Sequence, residues 1–302
     1  MWKTTKTLLC GIMLAGLALT AANAQDKAKV YLITMDQMDQ HWANVDVGAK
    51  KAVAEAGTID YTWLAPDIKD DAKQIEIVNN AVAAGAKVIV VAANGPTAIS
   101  AALKEADAAG VKIVYVDSPA DFPAVATFTT NNKAAGKSGG EEMLKALKAK
   151  GIESGKIGIV NVNSATQSVV DREAGFRSAF EGTKFEILPT QYSEGDVARS
   201  RDIAANYITD GVVGIFGTNE GTTTGVGNAI QEDGNKIIGV GFDNSDSIRN
   251  LIKGGSLIAA VTQNPEAMGY LGLKCAADVL AGGYKGETVV DTGVNLVTKD
   301  KL

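Results

Sequence analysis

The chain has 302 residues, 46% of them apolar, a net charge of −6 and a single histidine, His41. That length suits two domains that each bury a core, and an acidic chain argues against nucleic acid as a partner. Two cysteines, Cys10 and Cys275, are too few for a disulfide framework, and a lone histidine with Asp36 and Asp39 nearby is a poor metal site without further ligands.

Residues 1–24 carry Lys3 and Lys6, an apolar run from Leu8 through Leu19, and Ala22-Asn23-Ala24 before Gln25. This is the layout of a secretory signal cleaved after Ala24, and the run is too short to span a bilayer comfortably. Export is therefore expected, with Cys10 removed and the net charge falling from −6 to −8 as Lys3 and Lys6 leave. Cys275 then remains as a buried structural thiol with no internal disulfide partner.

After the signal, Lys29 to Thr34 predicts a first strand and Met35 to Trp42 a polar loop, followed by a helix from about Ala43 to Ala56. The rhythm continues: strand Asp60 to Leu64, helix Ala72 to Ala84, strand Val88 to Val91, helix Thr97 to Ala109, strand Lys112 to Val116, and a short strand near Ala126 to Thr130. A helix from Asn132 to Lys148 opens a second round. It runs through strand Lys156 to Val160, a loop to Asp171, helix Arg172 to Phe180, strand Phe185 to Pro189, helix Ala198 to Thr209, strand Val212 to Gly217 and helix Thr222 to Asp233. Ile237 to Phe242 then reads as a buried strand, Ser247 to Lys253 as a helix stopped by Gly254-Gly255, and Leu257 to Val261 as another strand. A last helix, Pro265 to Leu280, and a terminal strand within Val289 to Val297 complete the chain. Such apolar strands separated by helices predict an α/β fold of two doubly wound parallel-sheet lobes. The expected lobes are 25–130 with 264–288, and 131–263 with 289–302; several crossings between them make a hinge.

Ligands of open α/β sheets collect at the carboxyl ends of the strands. The residues placed there are Asp39, His41, Trp42, Asn94, Asp117, Ser118, Arg172, Tyr192, Asn219, Glu220, Asp243 and Gln263. Carboxylates accept from hydroxyls while amides and guanidinium donate to them, and Trp42 and Tyr192 offer faces for stacking, so the set predicts a polyol or sugar site. Taken singly, Asp and Asn after strands are equally explained as helix caps. Catalysis is disfavoured: there is no GxSxG elbow, no acid-base pair with context, and no phosphate-binding glycine spacing. No cofactor is expected.

The order and spacing of VDSPADFPAVATFTTNNKAAGK (from Val116), DREAGFRSAF (from Asp171), GTNEGTTTGV (from Gly217), VGFDNSDS (from Val240) and TQNPEAMG (from Thr262) resemble the periplasmic ribose- and galactose-type sugar-binding proteins, the type I periplasmic binding proteins that serve ABC transporters. The resemblance covers essentially the whole chain after the signal. It implies a non-enzymatic, monomeric periplasmic protein that closes on a monosaccharide or similar polyol and delivers it to a membrane permease, with a chemoreceptor as a further partner in some members. It implies that Asp117 takes sugar hydroxyls, that Arg172 donates to them, and that Asn219, Asp243 and Gln263 complete the site. Asp39, His41 and Trp42 fall in the loop that carries a polar group and stacking aromatics, and Asn94 in the third. The chain departs from the ribose pattern in having Asp117-Ser118 for an Asp-Arg pair and His41 for one aromatic. A nucleoside, an autoinducer-type furanose or a cyclitol is the alternative ligand, and an exported sugar-acting enzyme the least favoured reading.

Overall fold

A computed structural model describes residues 1–2 and 27–302, so the expected signal, with Cys10 and the cleavage point after Ala24, lies outside the described residues apart from its first two. The first lobe alternates β1 (Ala28–Ile33), α1 (Gln40–Ala56), β2 (Ile59–Leu64), α2 (Asp71–Ala83), β3 (Val88–Val91), α3 (Pro96–Ala108), β4 (Lys112–Val116) and β5 (Thr127–Thr129). The second contains α4 (Asn132–Ala149), β6 (Ser154–Asn161), α5 (Gln167–Ala179), β7 (Lys184–Ile187), β8 (Gln191–Tyr192), α6 (Val197–Thr209), β9 (Val212–Gly217), α7 (Glu220–Glu232), β10 (Ile238–Phe242), α8 (Asp246–Gly254) and β11 (Ala259–Thr262). The chain ends with α9 (Pro265–Leu280), β12 (Val289–Asp291) and β13 (Asn295–Thr298).

Two sheets of matching order result, β2-β1-β3-β4-β5-β12 and β7-β6-β9-β10-β11-β13. All pairs are parallel except β11 with β13. The central strands, β3 (VIVV) and β10 (IGVGF), are buried at every residue, as expected when helices cover both faces of a parallel sheet. Each lobe consequently has two apolar cores, one on either face: α1 and α9 cover one side of the first sheet, α2 and α3 the other, and α4 with α5 and α6 to α8 do the same for the second. The thiol of Cys275 lies in the α9 core, where burial pushes its pKa up to about 12.

The terminal segment is not one strand. Val289–Asp291 joins the first sheet beside β5 and Asn295–Thr298 the second beside β11, so the lobe boundary expected at residue 289 falls after Asp291. The cause is local: the Asp291 carboxylate accepts from the N–H of Gly293 at 2.9 Å and of Asn131 at 3.1 Å, and Gly293 takes a left-handed backbone (φ 79°). The chain thus crosses between lobes three times, near residues 130, 263 and 293. Two helix starts also differ from the sequence expectation by three residues or more. α1 begins at Gln40, placing His41 and Trp42 in its first turn and not in a loop, and α5 begins at Gln167, placing Arg172 mid-helix.

Reciprocal glycines set the helix pairs that carry these side chains. A Cβ on Gly48 of α1 would lie 1.9 Å from the Glu266 carbonyl of α9, and one on Gly269 of α9 would lie 1.8 Å from the Val45 carbonyl of α1. Gly136 of α4 and Gly175 of α5 stand in the same relation to Arg172 and Lys133, at 2.0 and 1.9 Å. The backbones touch, and nothing flexible is there to give way. Gly269→Ala is expected to cost about 1–3 kcal/mol of stability as overpacking forces α1 from α9, read as a lower melting temperature; a substitution without effect on melting would show the helices free to separate.

Candidate functional site

The site lies between the carboxyl ends of the two sheets. Asp117 follows β4 and Asp243 follows β10, equivalent strands of the two lobes. Each still donates its backbone N–H to the next strand, Asp117 to Phe128 and Asp243 to Val261, at 2.9 Å. Each then adopts a left-handed backbone (φ 58° and 75°), unfavourable for a non-glycine residue and of order 1 kcal/mol or more. The two carboxylates are 4–5% exposed and face each other across the cleft.

His41 fills the gap between them. Its Nε2 lies 3.0 Å from Asp117 Oδ2, off the axis of a hydrogen bond, and its Nδ1 lies 3.7 Å from Asp243 Oδ1. Burial alone would lower the imidazole's pKa, but the Asp117 and Asp243 carboxylates outweigh it, against Arg172, and hold it above its ordinary 6.5. Burial likewise opposes ionisation of Asp117, yet His41, Arg172 and the Ser118 hydroxyl together hold its carboxyl below the usual carboxylate range.

From the second lobe, Arg172 donates through Nε to Asn132 Oδ1 at 2.9 Å and through Nη1 to the Thr218 carbonyl at 3.0 Å. Its guanidinium sits over the Phe242 ring, 4.3 Å from the centroid. Nη2, 4.0 Å from Asp117 Oδ2, has no hydrogen-bond partner. Two buried N–H donors, His41 Nε2 and Arg172 Nη2, are thus left without aligned acceptors in one cleft, a situation that favours an oxygen-rich ligand. Gln263, at the second crossing, donates to Asp243 Oδ1 at 2.7 Å and accepts from the Thr130 hydroxyl of the first crossing at 3.1 Å. Asp39 Oδ2 accepts from Asn219 Nδ2 across the cleft at 3.2 Å.

The remaining expected residues lie elsewhere. Trp42 borders the cleft but is buried in the first lobe's core with Nε1 donated to Asp36 at 3.2 Å, so its face is not presented for stacking. Ser118 is fully buried and supports Asp117 by a 3.1 Å hydrogen bond. Asn94 faces Asp71 at 2.5 Å and joins the lobes only through its carbonyl, which accepts from the Thr166 hydroxyl at 2.6 Å. Tyr192 is in β8, 37% exposed, beside Glu173 and Arg177 on the outer surface, because its two-residue strand follows β6 to the edge.

Lys69, in the loop after β2, was not anticipated. Its ammonium pairs with Asp36 and, at 3.0 Å, with Asp39. Burial opposes its charge, yet the two acids more than compensate and raise its pKa. The sequence signal was a lysine among the charges of PDIKDDAK, which reads as a solvated loop. Between the lobes a narrow space of about 20 Å³ is lined by Asp39, Asp117, Arg172 and Asn219, and a cleft of about 210 Å³ adjoins it through His41, Asp243 and Gln263. The inner space is of the order of a single water, so admitting a sugar ring requires His41 to turn or the lobes to part. No group of metal-ligating residues and no helix long and apolar enough to cross a membrane occurs among the described residues.

Fold and cleft define a two-lobed protein that binds a polar solute between its halves. Residues 30–284 match the model of the periplasmic binding protein domain, and the chain belongs to that family. It is 25% identical to the ribose import binding protein of Haemophilus influenzae over 97% of this chain and 99% of that protein. The D-ribose/D-allose-binding protein of Pseudomonas aeruginosa is 24% identical, covering 97% of this chain and 98% of that one. Among solved structures, a carbohydrate transporter solute-binding protein from Agrobacterium radiobacter in complex with D-arabinose superposes with a TM-score of 0.86 at 31% identity, covering 91% of this chain and 95% of the other.

Replacing Lys69 by Met leaves Asp36 and Asp39 buried without a cation, expected to cost about 3–5 kcal/mol at pH 7. Asp39 already has a raised pKa, chiefly through burial and then through Asp36 and Asp243 against the pull of Lys69. Acidification therefore neutralises it readily, and the deficit of Lys69→Met in chemical denaturation should shrink as pH falls from 7 to 4. A deficit that grows on acidification would contradict the assignment.

Proposed function

We propose that the protein is exported to the periplasm, captures a monosaccharide or similar polyol between its lobes and delivers it to an ABC transporter permease, without covalent chemistry. The observation that carries this reading is the pairing of acceptors and donors across the cleft: Asp117 and Asp243 face each other, Arg172 Nη2 is a buried donor without a hydrogen-bond partner, and His41 Nε2 is a buried nitrogen out of line with Asp117. Vicinal hydroxyls, which donate to carboxylates and accept from N–H groups, match both sets at once. Related proteins whose names or structures specify ribose, allose, arabinose or fucose support the monosaccharide class. A nucleoside fits less well, since Tyr192 lies on the outer surface and Trp42 is buried in the first lobe's core with its Nε1 held by Asp36. His41 argues against turnover, because its ring nitrogens face carboxylates and not a hydroxyl or thiol nucleophile.

Binding to the folded state raises the melting temperature by mass action, so a panel of D-ribose, D-allose, D-arabinose, D-fucose and nucleosides should give a shift for a sugar and none for the nucleosides. Against the sugar that binds, Asp243→Ala and Arg172→Ala are each expected to weaken calorimetric affinity by about 1.5–3 kcal/mol, roughly 10- to 100-fold, the range of hydrogen bonds to charged groups. Unchanged affinity in both variants would remove these residues from the site.

A further inference from the structure

We propose that Glu220 is a positioning residue acting across the cleft: from the second lobe it holds the first turn of α1, and with it the His41 ring, and closing of the lobes draws a proton onto this carboxyl. The proposal uses the same cleft as the sugar-binding reading but concerns how it shuts. The first amides of a helix lack intrahelical acceptors and are ordinarily capped from within. In α1 the N-cap Asp39 makes no side-chain cap bond; its side chain is turned to Lys69 and Asn219. The amides are served from outside, Glu220 Oε1 accepting from the Gln40 N–H and Oε2 from the His41 N–H, both at 2.9 Å. The N-termini of α1 and α7 therefore meet head to head, Asp39 bonded to the N-cap of α7 and Glu220 to the first turn of α1. Parting the lobes breaks both contacts and leaves α1 uncapped at the turn that carries His41.

The surroundings of Glu220 are acidic on each side. Asp39 faces it from α1 and Asp243 from the end of β10, and Glu266 of α9 borders the same cleft. At the start of α8, Asp246 gives its N–H to the Gln40 side chain. The nearby cations are engaged elsewhere: Lys69 with Asp36 and Asp39, Arg172 toward Asp117, and the His41 ring between Asp117 and Asp243. Among the described residues no lysine, arginine or histidine side chain pairs with Glu220. Burial first, then Asp39 and Asp243, push its pKa up to about 7, while the amides of Gln40 and His41 pull it back.

The sign of the pH effect follows. With the lobes apart the carboxyl returns to water and an ordinary value near 4.5. A value raised in the closed form means that closing takes up a proton, so the advantage is complete below pH 4.5 and is lost as pH rises through 7. Allowing for solvent screening of a partly exposed group, the closed-to-open ratio should fall by up to about 100-fold over that window. His41 acts in the same direction, but its window begins at its ordinary 6.5 and extends upward, which separates the two.

Small-angle X-ray scattering on the sugar-free protein from pH 5 to 8 tests this directly. Wild type should expand between pH 5 and 7, the near-isosteric Glu220→Gln, uncharged and keeping one capping oxygen, should show no expansion across that window, and Glu220→Ala, which lacks the cap, should be expanded at every pH. His41→Asn should keep the expansion between pH 5 and 7. A wild type indifferent to pH, a Glu220→Gln that keeps the wild-type expansion, a Glu220→Ala that stays compact, or an expansion abolished by His41→Asn would overturn the proposal. No sugar enters the measurement, so failure here leaves the sugar reading intact, and failure of every sugar to bind leaves this result standing.

Discussion

The structure depends on carboxylates brought together from two halves of one chain. Asp39 and Asp117 come from the first lobe, Asp243 and Glu220 from the second, and unit charges about 4 Å apart repel by roughly 4 kcal/mol at the effective dielectric of a protein surface. Closing such a cleft is eased by the basic side chains interleaved among them. Lys69 occupies the Asp36–Asp39 side, Arg172 reaches toward Asp117 over the Phe242 ring, and His41 lies between Asp117 and Asp243. The balance is close, so hydroxyls that replace any of these contacts shift the lobes' equilibrium by their differential affinity for the closed form.

In the proposed closing the lobes move as units, because the helix contacts within each leave no slack. Backbone contacts at Gly48 and Gly269, and at Gly136 and Gly175, tie the helices bearing His41 and Arg172 to their neighbours α9 and α4. Motion is left to the three crossings. There Gln263 joins site to hinge, its amide nitrogen on Asp243 and its amide oxygen receiving the Thr130 hydroxyl of a neighbouring crossing. A change in the occupancy of Asp243 is therefore felt by the backbone that must bend.

The fold was legible in the sequence because its signals are local: apolar runs of strand length, glycines after helices, polar residues at strand ends. That logic points to Asp117, Arg172, Asn219, Asp243 and Gln263, and the structure brings them to one cleft. What was missed is long-range. The first two of the three extra residues at the start of α1 give their amides to Glu220, 180 positions from Gln40, and no pattern around Gln40 announces it. Lys69 looked like a solvated loop charge because its partners lie some thirty residues upstream, across β2. Tyr192 lies away from the cleft for a geometric reason: it sits within the two-residue β8, which pairs with β6 and leaves its ring on the outer surface beside Glu173 and Arg177. The split of the last strand turned on Asp291 and Gly293, where a tight turn sends the chain to the other sheet.

The two lobes repeat one plan and yet present different chemistry. Both end their fourth strand in an aspartate with left-handed backbone, so each supplies a carboxylate acceptor. The donors are unevenly placed. In the first lobe Lys69 is spent on Asp36 and Asp39, which leaves His41 as the donor that reaches the cleft, whereas the second lobe offers the free Nη2 of Arg172. In the proposed reading, a ligand held by both walls donates hydrogen bonds to Asp117 and Asp243 while accepting from His41 on one side and Arg172 on the other. A molecule with hydroxyls along only one edge satisfies one wall and leaves the other's charges buried and unmet. It is this demand on both edges, and not the size of the cleft alone, that makes a ring of hydroxyls the matching solute.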